Sequence, residues 1–425
     1  MLNIPPSYAG SFGTYPAPVQ KALRNFQDEA EAAPDVFLRY TKPKLLDKSR
    51  AALANLLDAP TSSLCMIPNA TTGINTILRN LVYRPGDKIL YFSTIYGACE
   101  KTILSITETT PAEAVKIDLT YPISDASLVS TFSSTISRLR EEGSRPRIVL
   151  FDTISSSPGV RMPFEALTAA CRDLHILSLI DGAHGVGHLP LNLTALDPDF
   201  FISNAHKWLF VPRGCAVLYV AQRNQSLIRT SYPTSHGFLP APKPGDRPIS
   251  SPLPPSEGEG ATAFTKLFEY TGTIDCAPYM CVPAALKFRE EVCGGEGKIM
   301  AYCVGLARRG GDRLAEMLGT EVLENEEGSL TKDSAMVNMR LPLESEGGAA
   351  IKVGGSGPMG VVYWISKAMV EEYNTFMAVQ YHGDAWWVRL SGQVYLQMED
   401  IEWGAGVLLQ LCERVRKGEH LEKVV

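Results

Sequence analysis

The chain has 425 residues, more than one hydrophobic core usually supports, so a large and a smaller domain are expected. Its 45% hydrophobic and 20% charged residues are those of a globular protein, and no apolar run approaches the roughly 20 residues that span a bilayer. Forty basic against 46 acidic residues give a net charge of −6 with no basic block, which argues against nucleic acid as a partner.

The start, MLNIPPSYAGSFG, lacks a basic segment followed by an apolar one, so it does not read as a signal peptide. Residues 18–57 carry apolar positions at helical spacing, with Pro34 as a break. From Thr71 to Val82, the residues Ile74, Ile77, Leu78 and Leu81 mark one face of a helix, and RPGD at 84–87 stops it. KILYF (88–92), RIVLFD (147–152), HILSLID (175–181), DFFIS (199–203) and CAVLYV (215–220) read as short buried strands, with helical stretches such as 163–174 between several of them. Strands alternating with helices predict an α/β fold with a mostly parallel sheet wrapped by helices.

Residues 236–262 are rich in Pro, Gly and Ser and form a long loop, a lid over a site or an insertion. A helix is expected from about Pro278 to Val292. After about Gly294 the pattern becomes helix, strand, helix, with 335–341 and 385–391 as strands. The expected organisation is an N-terminal helical segment (1–60) packing on both domains, a large α/β domain (61–293) and a small C-terminal α+β domain (294–425). The nine cysteines, an odd number without a C-x-x-C pair, read as reduced, buried residues of a cytoplasmic protein.

Ligands of open α/β sheets bind outside the carboxyl ends of the strands, and four such places carry chemistry here. In PNATTGINT (68–76), Asn69, Ala70, Thr71 and Thr72 open a helix, where free N–H groups and the helix dipole make an anion site or a plain N-cap. Asp181 closes an apolar strand, where a bare carboxylate needs a cationic partner, and His184 follows it. Lys207 lies between two apolar runs, with His206 before it and Trp208 after it. Burial lowers a lysine's pKa and makes the amine a usable nucleophile and base. Arg389 sits within an apolar strand and suits bidentate carboxylate recognition or a structural ion pair. A phosphate cradle, a strand-end carboxylate, an amine nucleophile and a distant arginine together match pyridoxal 5′-phosphate.

With DGAHGVGH, SNAHKWLFVPRG, EYTGTID and VRLSGQVY in place, the chain resembles the class V aminotransferase family of fold-type I pyridoxal-phosphate enzymes. It is most similar to the isopenicillin N epimerase-like branch. The resemblance runs from GSFGTYP (10–16) to VRLSGQVYLQMEDIEW (388–403). It implies a large domain with a seven-stranded, mostly parallel sheet and a small α+β domain. It also implies that Ala70, Thr71 and Thr72 form the phosphate turn and that Tyr96 stacks on the pyridine ring. Ser156 and His184 would lie near the phenolic oxygen, with Ser156 standing where many relatives have asparagine. Asp181 would pair with the ring nitrogen, Asn204 and His206 would flank the phosphate, and Lys207 would form the Schiff base. Thr273 would reach the phosphate of a neighbouring subunit, so a homodimer with shared sites is implied. Arg389 would grip the substrate carboxylate.

The resemblance further implies an amino-acid substrate that loses its α-proton to Lys207 and becomes a carbanion. Transamination, epimerisation, loss of a β-substituent and C–C bond formation all diverge from there. The branch resembles fungal enzymes that cleave a C–S bond on the way to ergothioneine, and the ring-closing loline-pathway type. A non-transaminating outcome in sulfur or secondary amino-acid metabolism is therefore expected. The alternatives are an aminotransferase and an inactive binding protein of the same fold. Cysteine desulfurases of similar pattern place a nucleophilic cysteine before the C-terminal arginine, but VQYHGDAWWVR (379–389) contains none. His236, in TSHGF, is a further candidate acid or base near the substrate, and Tyr40 a candidate at the pocket's border; a turn histidine is the alternative for His236.

Overall fold

The structure is a computed structural model, and residues 10–234, 236–238, 240, 243–245, 260–345 and 350–421 are described. Seven strands form the main sheet: β1 (Leu64–Ile67), β2 (Asp87–Phe92), β3 (Glu113–Ile117), β4 (Arg145–Asp152), β5 (Leu177–Asp181), β6 (Phe200–Ser203) and β7 (Ala216–Val220). Their order is β1-β7-β6-β5-β4-β2-β3. Neighbours from β3 to β6 pair in parallel, while β7 runs antiparallel to both β6 and β1. This is the α/β architecture that the alternation of buried runs and helical stretches predicts.

The runs are continuous in apolar residues because both faces of the sheet are covered. Leu179, Phe200 and Ile202 enter one core, with Ile74, Ile77 and Leu78 of the helix Ala70–Asn80 and Ile103 and Ile106 of the helix Gly97–Thr109. Their strand neighbours Ile180 and Phe201 enter the other, with Phe132 and Ile136 of the helix Asp125–Glu141 and Leu167 of the helix Phe164–Asp173. The N-terminal helices Ala17–Ala32 and Lys42–Leu57 add Val19, Leu53 and Leu57 to this second core.

A smaller antiparallel sheet holds β8 (Met336–Arg340), β9 (Ala378–His382) and β10 (Ala385–Ser391) in the order β8-β10-β9. The helices Glu296–Leu318, Gly357–Tyr373 and Met398–Arg416 pack on it through Leu314, Ile365 and Leu408.

Some details differ from expectation. The helix expected from Pro278 to Val292 is two, Ala277–Met280 and Val282–Glu291, because Pro283 has no N–H to carry the ladder through. β1, β3 and β9 are additional strands. Most of the 236–262 loop, and with it the expected lid, lies outside the described residues. All nine cysteines are unpaired, and only Cys293 is not buried. No helix among the described residues is long and apolar enough to cross a membrane.

Candidate active site

β1, β2, β4, β5 and β6 all point their carboxyl ends to one edge of the main sheet. That edge gathers Asn69, Thr94, Asp152, Asp181 and Asn204. Lys207 follows at once, on the short helical turn Ala205–Trp208. Its amine lies 3.1 Å from His184 Nε2. Burial lowers the Lys207 pKa to about 8, against the pull of Asp181 and Asp152 to raise it, while Arg389 lowers it further. The amine therefore gives up its proton far more readily than an ordinary lysine.

Asp181 is buried, and its carboxylate accepts from Ala183 N at 2.9 Å and from the Cys99 thiol at 3.3 Å. Burial raises its pKa, while the Lys207 charge and these two donors oppose the rise. Asp152 is its direct register partner on β4 and equally buried. Its pKa is driven well up by burial and then by the Asp181 charge. No motif surrounds Asp152, although RIVLFD ends its strand on a carboxylate in the same way as HILSLID. Two carboxyls at neighbouring strand ends oppose each other's charge, which holds Asp152 towards its neutral form.

Arg389, on β10, brings the small sheet into the site. Nη1 donates to the Ser156 carbonyl at 2.5 Å and Nη2 to Ser11 Oγ at 2.8 Å, while Nε has no partner. Burial lowers its pKa to about 10. None of its contacts among the described residues is a carboxylate, so the structural ion pair left open by the sequence is absent. Gly159 gives it room, since a Cβ there would collide with the arginine's Cδ. The N-terminal segment closes over the lysine turn. Gly13 has φ +63°, and a Cβ there would strike the His206 carbonyl.

The helix N-terminus at 69–72 is more occupied than expected. Ala70 N donates to Asn204 Oδ1 at 2.9 Å and Thr72 N to Asn69 Oδ1 at 2.8 Å. Asn204, expected to flank the phosphate, thus also holds the first N–H of this turn. His206 Nδ1 donates to the Cys215 carbonyl at 2.9 Å, which leaves Nε2 for a ligand. Tyr96 is 51% exposed at the start of the helix Gly97–Thr109, so its ring is open to stacking. Of Ser156, it is the carbonyl that has a defined partner, Arg389.

Three further expected residues, His236, Thr273 and Tyr40, lie around Tyr270 and Lys42. The His236 ring stands edge-on to Tyr270 at 5.5 Å, and the Tyr270 hydroxyl pairs with Thr273 Oγ1 at 2.9 Å. Lys42 lies over the same ring at 4.7 Å. Tyr40 is exposed two residues before it.

Buried polar atoms without partners also lie near this edge: Thr153 Oγ1, Arg389 Nε and Ser391 Oγ. Such groups call for a bound polar molecule. A planar cationic ring that carries an aldehyde and a phosphate suits Asp181, Lys207 and the 69–72 turn, so the residues fit pyridoxal phosphate.

The aminotransferase class-V family model matches residues 15–237. The L-cysteine desulfhydrase-like protein lolT1 of Epichloe uncinata is 40% identical over 429 residues, covering 97% of this chain and 93% of that protein. Hercynylcysteine sulfoxide lyase of Schizosaccharomyces pombe is 29% identical over 95% of this chain and 93% of its own length. Isopenicillin N epimerase of Streptomyces clavuligerus is 26% identical over 78% and 80%. Among solved structures, the cystine C-S lyase C-DES in complex with cysteine persulfide superposes with a TM-score of 0.74 at 18% identity, covering 97% of this chain and 98% of that one.

Proposed function

Because the chain belongs to the aminotransferase class-V family, we propose that it is a pyridoxal-phosphate enzyme acting on an amino acid without transaminating it, with C–S bond cleavage as the favoured outcome. The observation that carries this reading is the Lys207 amine, with its pKa near 8, between His184, the buried pair Asp181 and Asp152, and an Arg389 that has no carboxylate partner.

When bound, the cofactor supplies an aldehyde that condenses with amines and a ring that withdraws electrons from the bonds at the substrate's α-carbon. The protein's residues do the rest. Arg389 offers its guanidinium to the substrate α-carboxylate in a buried setting, where such a contact orients as well as binds. Lys207 Nζ takes the α-proton, and a pKa near the working pH suits it as a base. Asp181 would pair with the cofactor's ring nitrogen and keep it protonated. The names of the curated relatives support sulfur amino acids as the substrate class.

A persulfide on the protein is not part of this reading. The segment 379–389 before Arg389 has no cysteine. Cys99, beside Asp181, has its thiol pKa pushed far up by burial and so is no thiolate. The sulfur then leaves as a small-molecule thiol or sulfenate. Exposed Thr273 with half-buried Tyr270 and His236, packed on the buried Lys42, fits contact with a second copy's site in a homodimer.

The reading is tested with the loaded enzyme in D₂O and a panel of L-amino acids that includes sulfur-bearing ones. Release of a thiol or sulfenate, with deuterium at Cα of recovered substrate and the cofactor spectrum retained, is the expected result. Cyclised or epimerised product keeps the non-transaminating class and replaces the C–S reading. A keto acid formed as the cofactor gains an amino group makes the protein an aminotransferase. No exchange with any amino acid makes it a binding protein.

A further inference from the structure

Two buried residues that take no part in the reaction above hold His184 in place. The His184 ring has two nitrogen neighbours, each at 3.1 Å: Nε2 faces Lys207 Nζ, and Nδ1 accepts from Trp208 Nε1. An indole N–H can only donate, so His184 Nδ1 carries no proton. A neutral imidazole must then carry its proton on Nε2, where it points at the lysine amine. Burial, followed by the charges of Lys207 and Arg389, keeps this ring neutral.

Trp208 is itself fixed by a stacked partner. Its ring lies on His188 with centroids 4.0 Å apart and planes 28° from parallel. His188 is held from both sides. Its Nε2 accepts from the Ala335 backbone N–H at 2.7 Å, just before β8, and its Nδ1 donates to the His184 carbonyl at 2.9 Å. Burial holds the His188 pKa at about 3, so it too stays neutral. The links therefore run unbroken from the edge of the small sheet to Lys207.

We propose that Trp208 and His188 are positioning residues that lock His184 in its Nε2–H tautomer, so that Lys207 always meets a donor. A donor facing the amine stabilises its lone-pair form and opposes the ammonium. The reverse tautomer would accept from the ammonium and hold the lysine charged. The other groups that face Lys207 are Asp181 and Asp152 from β5 and β4, Cys99 from the helix Gly97–Thr109, Arg389 from β10 and His206 from its own turn. The two carboxylates pull towards the ammonium, and His184 is the neutral group that opposes them at hydrogen-bond distance.

The catalytic consequence rests on Lys207 being the reacting amine, but the tautomer does not. The full-length chain labelled with ¹⁵N-histidine is measured cofactor-free at pH 7.5, and the His184 signal is identified by its loss in His184→Asn. A proton on Nε2 and a bare Nδ1 are expected. Trp208→Phe keeps the stack and removes the donor. It should bring the second tautomer into the spectrum and raise the midpoint for acylation of Lys207, read from reagent-labelled peptides, by about one pH unit. His188→Gln should move both readouts the same way by less.

A wild-type His184 protonated on Nδ1 overturns the proposal, as does a Trp208→Phe protein with tautomer and midpoint unmoved. If Trp208→Phe does not fold, the wild-type spectrum alone decides the tautomer. Because these readouts need no cofactor, their failure is separable from failure of the proposed reaction.

Discussion

Replacing Arg389 by methionine probes how the site grips its substrate. The guanidinium is buried, donates to the Ser156 carbonyl and Ser11 Oγ, and leaves Nε without a partner. Burial alone accounts for its lowered pKa, so no buried carboxylate compensates its charge. Arginine in this condition costs the folded state and pairs strongly with an incoming carboxylate. A hydrogen bond to a charged group is worth about 1.5–3 kcal/mol, which is about 10- to 150-fold in binding. KM for the amino-acid substrate should rise by that factor, with a much smaller change in kcat, because the carboxylate is held alike before and during the reaction. The cofactor-free variant should melt no lower than the wild type, since methionine fills similar volume without a charge to desolvate. The assay is steady-state kinetics on the best substrate of the D₂O panel, with thermal unfolding of the same preparations. A KM within threefold of wild type, or a clear drop in melting temperature, would show that Arg389 is structural.

Three further outcomes follow from the same geometry. Lys207→Met should stabilise the cofactor-free protein at pH 7 by at most about 3 kcal/mol, because the fall in pKa from 10.5 to about 8 is a cost of burial. The unfolded chain binds more protons than the folded one between those values, so the gain should fade as pH rises from 8 to 10.5 in thermal melts; a gain that grows with pH contradicts it. Asp152→Asn should stabilise the cofactor-free protein at neutral pH and not below about pH 4, since a raised folded pKa makes wild-type stability fall as pH climbs above the ordinary carboxylate value. Melts across pH 3–8 that run parallel for the two proteins contradict it. Gly13→Val cannot adopt φ +63° at low cost and would strike the His206 carbonyl. It should lower activity and speed proteolysis near residue 13, while the unfolding midpoint of the remaining chain stays within a few degrees.

The parts of this site that the sequence displays are those carried by local pattern. Lys207 and Asp181 stand out because each follows a strand whose neighbours are all apolar. Asp152 obeys the same rule but has no motif around it, although its register with Asp181 sets two acids side by side in the site. Short or two-faced strands were lost: β1 has four residues, and β3 mixes Glu113 and Lys116 with apolar positions. β9 was hidden because its hairpin turn, Gly383–Asp384, reverses the usual order of an Asp-Gly signal. The contacts that orient the chemistry are not local at all. Ser11 lies 378 positions from Arg389 and Ala335 lies 147 from His188, and only the closed fold brings them together.

The central claim is that Lys207 is the amine that takes the cofactor. The most direct measurement is to incubate the cofactor-free protein with pyridoxal phosphate, reduce with borohydride, digest it and locate the added mass. The account predicts a single modified peptide carrying the label on Lys207, and no stoichiometric label in Lys207→Ala. Stoichiometric label on another lysine, or retained in Lys207→Ala, would contradict it.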